Sequence, residues 1–236
     1  ELRTPLTTLR MYAEMLAEGM LKTEEKKHLY LRTLSLEADR LGLLAENVLA
    51  YARLERKKTP VHRQKIELGE FLRSIGERLA ERGRQAGMSL KIDVPEGMPS
   101  VQTDPSVVER IIFNLVDNAC KYASCSAQKE IEILARLSGQ SISLSVQDYG
   151  PGISPKQRGK LFRPFCKSSE DAARTAPGVG LGLALSKRLA LHIGADLRYD
   201  RTFSKGSCFV LMFHRSSRSR FFTRYPTPKQ KTQKSG

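Results

Sequence analysis

The 236-residue chain has no tryptophan, only four cysteines, and no apolar run near the roughly 18 residues that a membrane-spanning helix requires. Its longest aliphatic stretches are broken within a few residues by Arg, Lys or Glu, so no transmembrane helix is expected. Cys120, Cys125, Cys166 and Cys208 form no CxxC pair and no zinc-ligand spacing. That excludes a disulfide scaffold or a structural zinc site and points to the thiols of a reducing compartment. Acidic residues are missing from His214 to Gly236, where seven Lys or Arg stand. Much of the net charge of +15 is therefore a tail, and the first 213 residues carry a surplus of only eight basic groups. The chain begins with Glu rather than Met, with no basic or apolar leader region before it, and reads as a piece of something longer. What is present, 40% hydrophobic and 28% charged residues, is ordinary globular composition, enough for one large or two small domains.

The first 57 residues have the pattern of a helical hairpin. Leu2, Leu6, Leu9, Ala13, Leu16 and Met20 recur at steps of four and three, and the seam resumes at Leu31, Leu34, Ala38, Leu41, Ala45, Val48 and Ala52. A sustained period of 3.5 is that of coiled-coil packing. Thr23 before Glu24 and Glu25 suits an N-cap with an acidic first turn. Leu36, Leu43, Leu44, Leu49 and Tyr51 fall off the seam. Self-association into a four-helix bundle would cover them, as would docking of a single hairpin on the following domain. Pro60 ends the second helix.

Beyond a linker at 58–63 the texture changes to that of an α/β layer structure over 64–213. Strands are expected at Gln64–Leu68, Ser89–Val94, Val101–Thr103, Glu130–Leu137, Ser141–Gln147, Asp196–Thr202 and Ser207–Phe213. Three helices are expected at Gly69–Ala86, Pro105–Tyr122 and Gly180–Ile193, with a loop at Tyr149–Pro177. The polar, basic segment 214–236 has the composition of a disordered tail.

Three segments carry chemistry. In Asn114-Leu115-Val116-Asp117-Asn118-Ala119-Cys120-Lys121-Tyr122, the two asparagines are four apart on one helical face. Paired amide oxygens suit a hard cation such as Mg²⁺, with Lys121 in reach of a phosphate; a solvated polar face is the equal alternative. Asp148-Tyr149-Gly150-Pro151-Gly152-Ile153 closes a hairpin, where an acidic strand end can accept from an exocyclic amine, though any turn uses Asp and Gly. Gly178-Val179-Gly180-Leu181-Gly182-Leu183-Ala184 opens a helix whose free N–H groups and dipole favour an anion. A dinucleotide fingerprint would have to follow a strand early in a βαβ unit, and this segment does not.

The order of these blocks, with the loop Leu161-Phe162-Arg163-Pro164-Phe165 between the second and third, resembles the N, G1, F and G2 boxes of sensor histidine kinases. Glu1-Leu2-Arg3-Thr4-Pro5-Leu6 is similar to the segment that follows the family's phospho-accepting histidine. The likeness covers about residues 1–213. It implies an α+β fold, a helical hairpin that forms a four-helix bundle as a dimer, followed by a GHKL-type sandwich with a mixed sheet and three helices. It also implies transfer of the ATP γ-phosphate to a histidine and on to an aspartate in a response-regulator receiver domain.

By that resemblance Asn114 and Asn118 hold Mg²⁺, Lys121 contacts phosphate, Tyr122 flanks the nucleotide and Asp148 reads the adenine amino group. Gly150 and Gly152 admit the base. Gly178, Gly180 and Gly182 let lid and helix approach the triphosphate, and Lys160 and Lys167 are candidates for the γ-phosphate. Glu1 is the general base toward the histidine, and Thr4 orients a water for the reverse dephosphorylation. The implied partners are a second copy through residues 1–57 and a receiver domain. No specific nucleic acid is implied, and membrane contact is expected only through segments upstream, the chain being a cytoplasmic portion of a membrane-bound sensor.

The accepting histidine would stand one position before Glu1, and His28, His62, His192 and His214 lie in other contexts. The chain is therefore expected to bind ATP and dimerise without labelling itself. Arg163 and Cys166-Lys167 also depart from the family's usual lid residues. Two readings compete: a degenerate ATP-binding regulatory module without kinase activity, and a GHKL ATPase of topoisomerase or mismatch-repair type, which lacks such a hairpin. Nucleic-acid binding by the tail is a third.

Overall fold

The computed structural model describes residues 3–20, 23–55, 60–139, 141–166 and 180–214. Two helices, α1 (Arg3–Ala17) and α2 (Glu24–Glu55), form the hairpin. The Lys27 N–H donates to the Thr23 carbonyl at 3.2 Å, and the Lys27 ammonium pairs with Glu24 at 2.6 Å. Near the turn the Tyr12 and Tyr30 rings stack with centroids 4.5 Å apart. Of the seam residues that are described, Leu9, Leu16, Leu34 and Leu41 are partly buried, while Leu6, Met20, Leu31, Val48 and the seam alanines stay exposed.

The remaining elements are β1 (Gln64–Ile66), α3 (Leu68–Gln85), β2 (Ser89–Asp93), β3 (Val101–Thr103), α4 (Pro105–Ala123), β4 (Glu130–Ser138), β5 (Ser141–Asp148), α5 (Pro155–Arg158), α6 (Gly182–His192), β6 (Ala195–Tyr199) and β7 (Ser207–His214). The chain is α+β, with a mixed five-stranded sheet ordered β2-β4-β5-β7-β6. β2 runs parallel to β4 and the other neighbours are antiparallel. β1 and β3 form a separate antiparallel pair.

Period-two alternation sends Ile131, Ile133 and Ala135 of β4 and Ile142, Leu144 and Val146 of β5 into the core. The same parity puts the next inward position, Asp148, on that buried face. α3 contributes Leu68, Leu72, Ile75 and Leu79, each burial stabilising by about 2 kcal/mol. α4 contributes a stripe from Val108 to Ala123, with Asn114 and Asn118 half-buried on its flank.

Several boundaries differ from expectation for local reasons. β1 stops at Ile66, because Leu68 already opens α3 as a fully buried helical residue. α6 starts at Gly182 rather than Gly180, whose φ of +68° is left-handed and cannot belong to a right-handed helix. β6 ends at Tyr199; beyond it Asp200 accepts from the Thr202 N–H at 2.8 Å and folds the chain into a turn. The short α5 interrupts the expected loop: Pro155 stands at its first position, and the Ser154 N–H donates to Gln157 Oε1 at 3.4 Å.

Off-seam residues of α2 have a different fate from the seam. Leu36 and Leu49 are exposed, but Ala50, Tyr51 and Leu54 pack against the core of the following domain. The Arg188 guanidinium of α6 lies 4.5 Å from the centre of the Tyr51 ring, and Arg110 of α4 donates to Asn47 at 3.3 Å.

Candidate functional site

The site is built along α4. Asp104 sits at its N-cap in extended conformation, with Oδ1 accepting from the Ser106 N–H at 3.1 Å and Pro105 at the first position. With the register of α4 fixed there, Asn114 and Asn118 come one turn apart on the flank facing α6.

Gly182 and Ser186 of α6 are likewise four apart, and both meet Asn114. The Asn114 side-chain nitrogen donates to Ser186 Oγ at 2.8 Å, and Ser186 is fully buried. A Cβ on Gly182 would collide with the Asn114 amide oxygen and stand 3.2 Å from its carbon. A side chain at Gly182 would therefore displace the Asn114 amide where the Gly-rich helix start meets the Asn-rich helix.

Gly180 makes the next connection. Its carbonyl accepts from the Phe165 N–H at 3.0 Å, and a Cβ there would lie 2.9 Å from the Cys166 carbonyl oxygen. The loop bearing Phe162 and Phe165 is so clasped to the start of α6. Phe165 itself has a positive φ of 60° and an exposed ring.

About 13 Å farther along α4, at its C-terminal end, lies Asp148. Oδ1 accepts from the Gly150 N–H at 2.9 Å and from the Ser207 N–H at 3.3 Å. Burial pushes its carboxyl above the usual aspartate range, opposed by those two backbone donors. A Cβ on Gly150 would stand 3.1 Å from the Ala123 Cβ, so the acidic Gly turn lies directly on the end of α4. Gly152 approaches the Gly206 carbonyl.

Of the remaining expected residues, Lys121 is half-buried and Tyr122 exposed on the last turn of α4, and Lys160 is exposed just after α5. Thr4 stands in the first turn of α1, its side chain outside the described part. Glu1, Lys167 and Gly178 lie outside the described residues, as do residues 167–177 of the lid expected at Ser154–Pro177 and the tail from 215.

Two elements of the site escaped the sequence reading. Ser186 carries no signal beyond its i,i+4 spacing from Gly182. Gly206-Ser207 at the start of β7 does carry one, a Lys-Gly-Ser turn before an alternating strand. A Cβ on Gly206 would overlap the Asp148 carbonyl, so the two chains touch backbone to backbone there.

The donor set fits a hard cation held by amides. Among the described residues the Asn118 side-chain nitrogen is buried without a hydrogen-bond partner, an unmet polar group on the flank of α4 beside Asn114. Among the described residues no group of three or more His, Cys, Asp or Glu side chains could hold a metal. An ion here would complete its shell with phosphate oxygens and water, as Mg²⁺ does.

Two family models match the chain. The His Kinase A (phospho-acceptor) domain covers residues 1–57, and the Histidine kinase-, DNA gyrase B-, and HSP90-like ATPase covers residues 103–217. The aerobic respiration control sensor protein ArcB of Escherichia coli (strain K12) is 29% identical over 220 residues, 92% of this chain and 28% of that protein. The chain thus spans little more than a quarter of that relative's length. The Acinetobacter baumannii histidine kinase AdeS has the same fold, with a TM-score of 0.72 at 22% identity, over 91% of this chain and 96% of that one. Full-length ShkA in complex with AMPPNP superposes with a TM-score of 0.66 at 25% identity, over 89% of this chain and 43% of that one.

Proposed function

Because the chain belongs to the sensor histidine kinases, as a catalytic core of phospho-acceptor hairpin and ATPase domain, we propose that it binds Mg-ATP. It serves the transfer of the γ-phosphate to a histidine and on to an aspartate of a response-regulator receiver domain. The observation that carries this reading is the meeting of Asn114 with Gly182 at the middle of α4 and of Asp148 with Gly150 at its C-terminal end. That spacing suits a nucleotide lying along the helix, phosphates at the start of α6 and base against the strand end.

In this reading Asp148 accepts from the adenine amino group with the oxygen its backbone donors leave free, and Gly150 and Gly152 leave room for the ring. Asn114 and Asn118 present amide oxygens to Mg²⁺, which when bound neutralises phosphate charge. Lys121 and Lys160 serve phosphate oxygens, Tyr122 flanks the nucleotide, and Gly180 and Gly182 bring backbone N–H groups to it. Gly178 and Lys167 take the lid roles assigned above. Glu1 accepts the imidazole proton of the attacking histidine, and Thr4 orients water in the reverse reaction. The AMPPNP complex of ShkA supports nucleotide binding by this fold.

The division proposed is a dimerising hairpin at 1–57, a linker at 58–63, a nucleotide domain at 64–213 and a tail at 214–236. Exposed Leu6, Met20, Leu31 and Val48 supply the apolar surface a second hairpin would cover. No described helix is long and apolar enough to cross a membrane. The place proposed for the chain is the cytoplasmic side of a membrane-bound sensor.

The test is phosphotransfer. The 236 residues hold no histidine in the acceptor motif, so the chain as given takes up no label from γ-labelled ATP at that position. The same chain extended by one histidine before Glu1 acquires an acid-labile, base-stable phosphoryl group. Equal labelling of both chains, or of neither, contradicts the reading.

A further inference from the structure

The segment that carries Phe162 and Phe165 is attached to α6 at two points. At one, the Phe165 N–H donates to the Gly180 carbonyl at 3.0 Å, two residues before the helix begins. At the other, the Lys187 ammonium lies 5.4 Å from the centre of the Phe162 ring. Lys187 stands about 100° round the helix from Ser186, on a flank next to the one that meets Asn114. Its three N–H donors have three takers: Asp196 Oδ1, the Leu197 carbonyl at 2.8 Å and the face of the ring. The first two tie the ammonium to β6, and the third ties the ring to the ammonium. Phe162 also meets the core residue Phe209 edge to face, with centroids 6.4 Å apart. Three residues on, Phe165 has a left-handed backbone, φ +60°, which a non-glycine residue keeps only where its surroundings enforce it. Its own ring is 64% exposed and enforces little. The constraint comes from the anchored Phe162 on one side and the Gly180 carbonyl on the other.

From this two-point attachment we propose that Lys187 is a positioning residue for the triphosphate end of the nucleotide. By fixing Phe162 it holds Phe165 against Gly180, and so sets where the backbone of Gly180 to Gly182 stands to receive phosphate. The inference rests on the proposed Mg-ATP site and adds to it a residue that touches no nucleotide. Lys187 acts through Phe162, its ammonium being spent on β6 and the ring. The competing role is that of a plain staple between α6 and β6 through Asp196. A staple would affect the binding of every adenine ligand alike, whereas a positioned phosphate-binding backbone matters only to ligands that carry phosphate.

The test compares Mg-ATP with adenosine on the 236-residue chain. Both displace trinitrophenyl-ATP, and each variant's own affinity for that probe is measured first. Lys187→Met keeps an unbranched stem and removes the cation; it weakens Mg-ATP by about two- to fivefold and leaves adenosine unchanged. In a Phe162→Leu background there is no ring for the cation to hold, and the same substitution changes Mg-ATP affinity by less than about 1.5-fold. Should Lys187→Met not fold, Lys187→Gln retains two N–H donors for Asp196 and Leu197 without the charge, and gives the same phosphate-selective loss. Parental Mg-ATP affinity in the folded variant, equal losses for ATP and adenosine, or the same loss in both backgrounds overturns the inference. Asn118→Ala in the same assay separates the two levels: if it weakens Mg-ATP while the Lys187 variants do not, only the positioning role falls. If Asn118→Ala changes nothing, the site and this inference fall together.

Discussion

The carboxylate of Asp104 joins α4 to the segment that leads in from the hairpin: Oδ2 accepts from the His62 backbone N–H at 2.9 Å while Oδ1 caps the helix. One buried side chain thus fixes both the start of the nucleotide helix and the path of the chain that enters the domain. Asp104→Ala removes the cap and leaves the backbone N–H groups of His62, Ser106 and Val107 without this acceptor, a loss of about 1–2 kcal/mol. Urea unfolding measures it, and Asp104→Asn, which retains an acceptor, loses less. A midpoint unchanged in Asp104→Ala contradicts the assignment.

Tyr51 and Arg188 make the second link between hairpin and nucleotide domain. A double-mutant cycle with Tyr51→Ala and Arg188→Ala is expected to give a coupling of about 0.5–1 kcal/mol in thermal or urea unfolding. Additive effects of the two substitutions would show that the ring and the guanidinium do not stabilise one another.

Much of this architecture was legible because it follows from repeating patterns. The alternation of Glu130–Ser138 and Ser141–Asp148, the Asp104-Pro105 helix start and the 3.5-period seam each repeat one rule over many residues. The pairing of Asn114 with Gly182 was anticipated only as two motifs of one site; their contact is a product of how α4 and α6 pack. Ser186 and Gly206 were not legible at all in that way. One is a serine inside an apolar helix face, the other a glycine in an ordinary turn, and only the residue across from each gives it meaning. For Tyr51 the sequence leaves two fates open, a second hairpin or the following domain, and the structure packs it against the following domain. The four-residue α5 was hidden inside a loop rich in Pro and Gly, although Ser154-Pro155 with Gln157 is itself a helix-start signal.

Asp148 gives a pH dependence whose sign can be worked out. Burial raises its carboxyl in the folded state, so the protonated form is the one folding favours. That contribution to stability is present below the unfolded pKa and is lost as pH rises through the raised folded value. Acceptance of a hydrogen bond from adenine needs the ionised form, so nucleotide affinity moves oppositely and falls as the solution is acidified, from a higher pH than an ordinary aspartate would give. Asp148→Asn is expected to unfold no more easily than the parent at neutral pH while losing nucleotide affinity and its acid-side dependence. Calorimetric titrations at several pH values measure both; a parent affinity flat across the acid range contradicts the role.

Gly206 admits no side chain, because its Cβ would overlap the Asp148 carbonyl. Gly206→Ala must push β7 away from the end of β5, at a cost of about 1–3 kcal/mol, and it also displaces the Ser207 N–H that holds Asp148. Lower stability together with weaker nucleotide binding is expected, whereas Gly42→Ala, in α2 with open space around it and ordinary backbone, leaves both intact.

The four thiols divide by burial. Cys125 and Cys166 are exposed, Cys120 is buried with its thiol pushed up, and burial raises Cys208 to about 12. A thiol reagent at mildly alkaline pH is expected to label two cysteines quickly in the native chain and all four after unfolding. Four fast reactions in the native state would contradict the burial of Cys120 and Cys208.

The most direct measurement is an equilibrium titration of Mg-ATP into this chain and into its Asn118→Ala variant, both checked for cooperative unfolding. A nucleotide held through amide-coordinated Mg²⁺ predicts at least tenfold weaker binding in the variant, about 1.4 kcal/mol. Equal affinities in two folded proteins would contradict it.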